Sequence, residues 1–192
     1  MGRTLVPYAE KVELFAWWED GFTLEELDYL QNIAMNNKQA ALIGNNQNNP
    51  EHRVSEVSWL QDEKENIQIF NKLSHIVSSL NSQFFRFNLN CLSEAAQLTN
   101  YSEHNQGKYD WHLDSGKSDS PCRKLSLVLQ LTNPDNYEGG ELQILTSKDP
   151  QSLPKKRGLV TVFPSHTLHR VTPVTKGTRQ SMVLWVTGEP FR

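Results

Sequence analysis

The sequence has few of the features that would place it in a membrane or on nucleic acid. No apolar run approaches the roughly 18–20 residues needed to cross a bilayer. The N-terminal residues lack the apolar core of a secretory signal. The formal net charge is −3 and the pI is near 6.1, so there is no basic excess of the kind that binds nucleic acid. These absences favour a cytoplasmic protein without a membrane or nucleic-acid partner.

Cysteine is also scarce. The two thiols, Cys91 and Cys122, are expected to be reduced, and neither has a base beside it that would make it a nucleophile. The chain of 192 residues is long enough to bury a core. Because no repeat or linker divides the sequence, we expect a single domain over residues 1–192.

Helical periodicity is found in the first part of the chain. Thr23 and Glu26 have the spacing of a capping box, and apolar residues follow every three or four positions, which predicts a helix over 24–36. A second amphipathic helix is predicted over 63–83. Short strands are predicted within 5–19 and 53–60, and an Asn-rich loop over 36–50.

Later in the chain the period changes to that of strands separated by turns. Turn signals such as Asn133-Pro134 interrupt the apolar runs. Many short strands at this spacing favour a sandwich or barrel of antiparallel strands, so the predicted fold class is mainly β with flanking α-helices. The predicted strands are 84–90, 94–101, 109–115, 124–132, 140–146, 158–163, 167–174 and 180–187.

Candidate metal chemistry begins with His112 and Asp114. Residues two apart on a strand point to the same face, so these side chains are expected to converge while Leu113 packs into the opposite layer. One imidazole and one carboxylate are two of the three ligands in the facial triad that holds Fe(II). Such a pair is more often a surface or hydrogen-bonded feature, so a metal site requires a third ligand.

Two later histidines, His166 and His169, are candidates for the third ligand. A hairpin turning near Lys176-Gly177 would bring Arg179 beside the strand that starts at His169. A buried arginine needs an anionic partner, and a carboxylate is its usual match. A metal with open positions beside such an arginine suggests a cosubstrate that chelates metal at one end and carries a carboxylate at the other. 2-Oxoglutarate has that shape.

Three stretches surround these residues: Tyr109-x-x-His112-x-Asp114, Glu138-Gly139-Gly140-Glu141-Leu142 and Phe163-Pro164-x-x-x-x-His169-x-Val171-x-Pro173-Val174. Together they resemble the Fe(II)/2-oxoglutarate-dependent dioxygenases, and in particular the prolyl 4-hydroxylase-type (PKHD-type) branch. Arg53-x-Ser55-x-x-x-Trp59 is a weaker match. The resemblance implies a double-stranded β-helix (jelly-roll, cupin-like) core over residues 84–187, supported by residues 1–83.

The resemblance also implies roles for individual residues. Three residues match the iron ligands: His112, Asp114 and His169. Arg179 matches the residue that pairs with the distal carboxylate of 2-oxoglutarate, and Tyr101 resembles a tyrosine that helps to hold it. Trp185 matches an aromatic residue near the site, and Gly139-Gly140 matches a tight structural turn. The implied cofactor and cosubstrates are Fe(II), 2-oxoglutarate and O₂, with ascorbate as an accessory.

The implied reaction is hydroxylation of a peptidyl proline or a similar aliphatic carbon, with release of succinate and CO₂. A peptide or protein substrate is favoured. The alternatives are a catalytically silent sensor of metal and 2-oxoglutarate, an oxygenase acting on a small molecule or nucleic-acid base, and a cupin-type metal enzyme that does not use 2-oxoglutarate. No second arginine follows shortly after Arg179, which disfavours base demethylation. Substrate specificity is expected to lie in loops around 36–60 and 102–108.

The remaining candidates are given ordinary structural roles. Tyr109 and Trp111 are predicted to pack around their strand, and Arg170 to be a surface charge. Arg123 precedes a core strand and is a candidate for the substrate side. The histidines without an assigned role are His52, His75, His104 and, once His169 is matched, His166.

Overall fold

The secondary structure is known from a computed structural model, which describes residues 13–36, 38–41, 49–92, 94–115 and 122–190. No helix in these ranges is both long and apolar enough to span a membrane. In chain order the elements are β1 (Ala16–Trp18), α1 (Leu24–Met35), β2 (Gln39–Ala40), β3 (Arg53–Val54), β4 (Glu56–Leu60), α2 (Ile67–Leu80), β5 (Leu89–Leu92), β6 (Ala96–Ser102), β7 (Lys108–His112), β8 (Arg123–Gln130), β9 (Tyr137–Gly139), β10 (Leu142–Ile144), β11 (Gln151–Ser152), β12 (Val160–Pro164), β13 (His169–Val171) and β14 (Val174–Gly188).

These strands form two antiparallel sheets. The first sheet has the order β1-β12-β8-β14-β6-β4-β2, and β5 and β9 also pair with β14. The second sheet has the order β11-β10-β13-β7-β3. Adjacent strands in both sheets run antiparallel. The predicted class, mainly β with flanking helices, is confirmed.

The first sheet has two chemically different faces because successive side chains of a strand alternate in direction. Its helix face is apolar: Leu127 of β8 and Leu184 of β14 are fully buried in one core with residues of α1 and α2. Its cavity face is more polar, and the side chains on it border a cavity between the two sheets. The residues of the cavity face are Gln97, Tyr101, Ser126, Val128, Arg179, Ser181, Val183 and Trp185.

Both predicted helices are present, and α1 ends one residue before its predicted end. At the start of α1, the Glu26 N–H donates to Thr23 Oγ1 (3.3 Å) and the Thr23 N–H donates to Glu26 Oε2 (2.8 Å), which completes the capping box. Helix α2 begins at Ile67, four residues later than predicted. The preceding residues instead form a turn in which the Asn66 side-chain amide donates to the Gln61 carbonyl (2.9 Å).

The strand predicted over 84–90 is wrong over most of its length. Helix α2 continues into a π-helical turn over Asn81–Phe85, which ends at Arg86 with a left-handed φ of 56°. The Asn81 side chain stabilises this end by donating to the carbonyl of Phe87 and accepting from its N–H, both at 2.9 Å. These local bonds compete with strand geometry, so β5 begins only at Leu89.

Two N-terminal predictions need smaller corrections. The loop predicted over 36–50 contains β2, which pairs with β4. Within the strand region predicted over 5–19, β1 is present at Ala16–Trp18, while residues 5–12 lie outside the described residues.

The hairpin predicted near Lys176-Gly177 is also wrong, because β14 runs through these residues. The beginning of β14 pairs with β9, where Gly177 lies opposite Tyr137. Gly177 has a φ of +72°, and a Cβ built on it would lie 2.2 Å from the Asn136 carbonyl oxygen. The glycine therefore permits a close strand approach rather than a chain reversal.

Candidate metal centre

Two histidines meet where β7 ends and β13 begins. His112 and His169 are direct partners in the antiparallel register, and their ring centroids lie 4.1 Å apart. Asp114 follows β7 by two residues and is buried beside them. One ligand atom from each of the three side chains lies within 4.8 Å of the others. Two imidazoles and one carboxylate in this arrangement form the donor set of a facial triad.

The route by which Asp114 reaches this cluster differs from the prediction. Strand β7 ends at His112, and the Asp114 N–H donates to the Ser165 carbonyl (2.9 Å) outside the ladder between β7 and β13. The alternation of a strand therefore does not extend to Leu113, which is 53% exposed and borders the cavity. Its predicted packing behind the site is wrong. His166 is exposed and is not a member of the cluster.

Hydrogen bonds fix the orientation of all three side chains. The Nδ1 of His112 lies 2.7 Å from the Asp110 carbonyl, and the Nδ1 of His169 lies 2.9 Å from the Thr167 carbonyl. A carbonyl only accepts, so each Nδ1 carries the proton and each Nε2 keeps a free lone pair. The Nε2 atoms face Asp114 at 3.7 and 3.4 Å. The lone pairs and the carboxylate therefore point into one small volume.

The electrostatics of the cluster favour the forms that bind metal. Burial, assisted by the neighbouring His169, lowers the pKa of His112 to about 3. Burial acts to raise the pKa of Asp114, but the neighbouring His169 and His112 and the hydrogen bond from the Ser126 hydroxyl outweigh it and hold this pKa below its usual value. The Ser126 hydroxyl donates to Asp114 Oδ2 at 2.8 Å. A neutral His112 and an ionised Asp114 are the states that a metal ion requires.

The cluster opens into a cavity of about 530 Å³ between the two sheets. Arg179 lines it from β14 and is 3% exposed. Its register partner is Tyr101 of β6, whose ring centroid lies 5.5 Å from the guanidinium carbon. Arg179 Nη1 donates to the Ser181 hydroxyl at 3.2 Å, and among the described residues Arg179 makes no ion pair. A buried guanidinium that makes no ion pair with the described residues is suited to bind an anionic ligand.

Trp185 lines the same cavity, and its buried indole Nε1 has no hydrogen-bond partner in the part of the chain that the structure describes. The guanidinium carbon of Arg123 lies 3.9 Å from the centroid of its ring. Arg123 also pairs with both oxygens of Glu94 and donates to the Asp114 carbonyl (3.3 Å). The arginine therefore connects the cavity wall to the backbone of the metal cluster.

Three residues of the cavity wall make contacts that the sequence did not predict. The Tyr109 ring stacks on His112 with centroids 3.5 Å apart, so it packs on a candidate ligand rather than only around its strand. Burial raises the pKa of Tyr109 to about 12. His52 was given no role, yet its ring meets Tyr109 edge-on at 5.5 Å. Arg53 lies over the same ring at 4.5 Å. The Arg53-x-Ser55 resemblance was the one sequence signal for this wall.

Gly139 and Gly140 shape the cavity from the side of Arg179. Both have left-handed φ angles, +72° and +57°. A Cβ built on Gly140 would lie 3.0 Å from Cδ of Arg179, so a side chain there would press on the arginine. The tight turn therefore also brings the backbone of Gly140 close to the Arg179 side chain.

Comparison with known proteins gives this site a family context. Residues 96–187, which include the three clustered side chains and Arg179, match the family model described as the 2OG-Fe(II) oxygenase superfamily. Over this stretch, which is just under half of the chain, the sequence is similar to the 2OG-Fe(II) oxygenase superfamily. A PKHD-type hydroxylase from Teredinibacter turnerae is 39% identical over 87 residues, which cover 43% of this chain and 38% of that protein. The chain thus spans less than half the length of the curated relatives it matches.

Solved structures of prolyl hydroxylases share the fold over nearly the whole chain. A Pseudomonas putida prolyl-4-hydroxylase superposes with a TM-score of 0.72 at 17% identity, over 92% of this chain and 94% of that one. A Trichoplax adhaerens prolyl hydroxylase, solved with a peptide fragment of hypoxia inducible factor, gives 0.74 at 16% identity, over 91% and 84%. The predicted double-stranded β-helix is confirmed by these neighbours.

The superfamily implies Fe(II) and 2-oxoglutarate, and the residues of this site fit both. The oriented donor set of His112, Asp114 and His169 is suited to Fe(II). The buried Arg179, with neutral hydroxyl and phenol neighbours and no ion pair among the described residues, is suited to a carboxylate. A keto acid with a distal carboxylate needs both features within one cavity, which is where they lie.

Proposed function

We propose that this chain is an Fe(II)- and 2-oxoglutarate-dependent dioxygenase that hydroxylates a peptidyl proline or a similar aliphatic carbon, with release of succinate and CO₂. The observation that carries the proposal is the single cavity shared by the His112, Asp114 and His169 cluster and the buried Arg179. We also propose that residues 1–192 form one oxygenase domain, because α1 and α2 share a core with the first sheet.

In this proposal the protein holds the metal through His112, Asp114 and His169. When bound, iron would supply the redox chemistry by which O₂, the oxidant, oxidises 2-oxoglutarate to succinate and CO₂ and hydroxylates the substrate, with one oxygen atom going to succinate and the other to the substrate. The carbonyls of Asp110 and Thr167 fix the tautomers of the two histidines, and Ser126 fixes the carboxylate. Such surrounding bonds orient metal ligands before the metal arrives.

Arg179 anchors the distal carboxylate of 2-oxoglutarate in the proposal, with Tyr101 beside it. Both side chains are 3% exposed, so water competes little for the charge-assisted bonds. The Ser181 hydroxyl accepts from Nη1 and limits the rotation of the guanidinium. This end of the cavity therefore sets the position of the cosubstrate relative to the metal cluster.

Trp185 and the cavity rim provide the substrate side. Trp59 and Leu113 border the cavity and are 43% and 53% exposed, so two apolar side chains are available to contact a substrate there. The peptide in the Trichoplax structure makes a peptide the first candidate substrate. Ascorbate is proposed as an accessory that keeps the iron ferrous.

The test is conversion of 2-oxoglutarate to succinate by the full chain with Fe(II), ascorbate and a library of proline-containing peptides. We expect substrate-dependent succinate formation and a mass increase of one oxygen atom on the peptide. Arg179→Gln should weaken 2-oxoglutarate binding by roughly 100-fold, because a buried charge-assisted pair is lost. Failure of the metal-loaded wild type to bind 2-oxoglutarate would contradict the proposal. Binding without turnover of any substrate would indicate a sensor.

A further inference from the structure

Three guanidinium groups of the described residues line the cavity, and they differ in whether an anionic group compensates their positive charge. Arg123 is paired with Glu94, and Arg179 is the proposed anchor of the cosubstrate. Arg53 is 6% exposed, and its Nε donates to the Ser55 hydroxyl at 2.9 Å. Its buried Nη2 has no hydrogen-bond partner, and no ion pair links it to a carboxylate in the described ranges. Arg53 is therefore a cationic group of the cavity without an anionic partner among the described residues.

The position of Arg53 is fixed relative to the metal cluster. Strand β3 pairs with β7 so that Arg53 lies opposite Tyr109. The guanidinium carbon lies 4.5 Å from the centroid of the Tyr109 ring, and this ring stacks on His112 at 3.5 Å. Guanidinium, phenol and imidazole thus form one stack along the cavity wall.

An uncompensated charge in a cavity wall is costly, and a ligand that supplies the opposite charge recovers that cost. A guanidinium with a free Nη group is best matched by a carboxylate. We propose that Arg53 binds a carboxylate of the substrate and thereby makes this oxygenase selective for an acid. The carboxylate lies on Arg53, at the far end of the stack from the metal cluster, and the carbon to be hydroxylated extends towards that cluster. This inference rests on the proposed function.

Two sources supply that chemistry: a main-chain carboxylate, as in a free amino acid or a peptide terminus, and an acidic side chain next to the target residue. Two matched pairs of probes separate them. N-acetyl-proline and N-acetyl-prolinamide differ in the terminal carboxylate alone. N-acetyl-Pro-Asp-amide and N-acetyl-Pro-Asn-amide differ in the side-chain carboxylate alone.

The measurement is a ligand-observed NMR titration of each probe against the full chain loaded with Mn(II), with and without 2-oxoglutarate. Because 2-oxoglutarate fills the Arg179 end of the cavity, an acid that binds at Arg53 does not displace it. We expect the acid of at least one pair to bind roughly tenfold or more tightly than its amide. Arg53→Gln should abolish that preference, and Arg53→Lys should retain part of it.

Arg170 offers a matched control. Its guanidinium carbon also lies 4.5 Å from an aromatic centroid, that of Trp111, but its Nε donates to Gln143 and it is not part of the cavity wall. Arg170→Gln should keep the acid preference, and Arg53→Gln should keep 2-oxoglutarate binding.

Several results would overturn the inference: equal affinities within both pairs, no binding by any of the four probes, displacement of 2-oxoglutarate by the acids, or an acid preference that survives in Arg53→Gln. Any of these with normal 2-oxoglutarate binding leaves the proposed function intact. Loss of 2-oxoglutarate binding in the wild type, by contrast, removes the proposed function itself.

Discussion

The helix face and the cavity face of the first sheet are formed by the same strands, but the first belongs to the apolar core and the second lines the cavity. On β8, Leu127 is fully buried among apolar residues of the helices, and the adjacent Ser126 donates to Asp114 on the other side. On β14, Leu184 belongs to the apolar core and Trp185 to the cavity. Because successive side chains of a strand point to opposite faces, neighbouring residues of one strand serve different purposes: one stabilises the core and the next lines the cavity. Substitutions on each face should have separable effects.

The largest effect is expected where the cavity face meets the metal cluster. Asp114→Ala removes the anionic ligand, so we expect metal affinity to fall by more than about 100-fold and 2-oxoglutarate turnover to be lost. Isothermal titration with Mn(II) and a succinate assay measure the two quantities. Asp110→Ala is the matched control, because that side chain bonds to the Trp111 N–H and lies outside the donor cluster. Unchanged metal affinity in Asp114→Ala would refute the site.

The next effect compares adjacent residues directly. Leu127→Ala leaves a cavity in the apolar core, and we expect the free energy of unfolding to fall by about 2–5 kcal/mol. Ser126→Ala removes the bond to Asp114, so metal affinity should fall by about 10–100-fold with a much smaller loss of stability. Urea unfolding and Mn(II) titration of both variants test the separation. Similar stability losses in the two variants would show that the faces are energetically coupled.

The sequence predicted correctly which residues lie together at the cavity, but it did not predict correctly which strands and turns bring them there. His112 and Asp114 were expected to share a strand face, but the chain leaves the strand after His112. Arg179 was expected through a hairpin with the strand of His169, whereas β14 and β13 belong to different sheets. In each case residue chemistry identified the members, while the path depended on backbone bonds that residue periodicity does not encode.

The wall formed by Arg53, His52 and Tyr109 could not be predicted in the same way. Strand β3 is two residues long and pairs with β7, which lies more than fifty positions later in the chain. Neither periodicity nor local turn chemistry reports a contact of that kind. The helices were easier, because a capping box and apolar spacing are local signals, and α1 follows them closely.

A smaller effect concerns the response of the cavity face to pH. The pKa of His112 is about 3 in the folded metal-free protein, against 6.5 for an ordinary histidine, so the unfolded chain binds the extra proton first. Stability should therefore fall as pH decreases below about 6.5, by roughly 1–2 kcal/mol from this group at pH 5. His112→Gln should flatten this part of the curve of unfolding free energy against pH. Leu127→Ala, on the helix face, should lower the curve without changing its slope.

The smallest effect is expected at the far side of the helix layer. Thr23→Ala removes the hydroxyl that accepts from the Glu26 N–H at the start of α1, which should cost about 1 kcal/mol of unfolding free energy. Thr23→Ser keeps a hydroxyl and should restore most of that loss. Because α1 packs on the helix face, Mn(II) and 2-oxoglutarate affinities should stay unchanged in both variants. A change in either affinity would mean that the helices help to position the residues of the cavity face. A substitution on the helix face would then affect ligand binding through the sheet, although the two faces consist of different side chains.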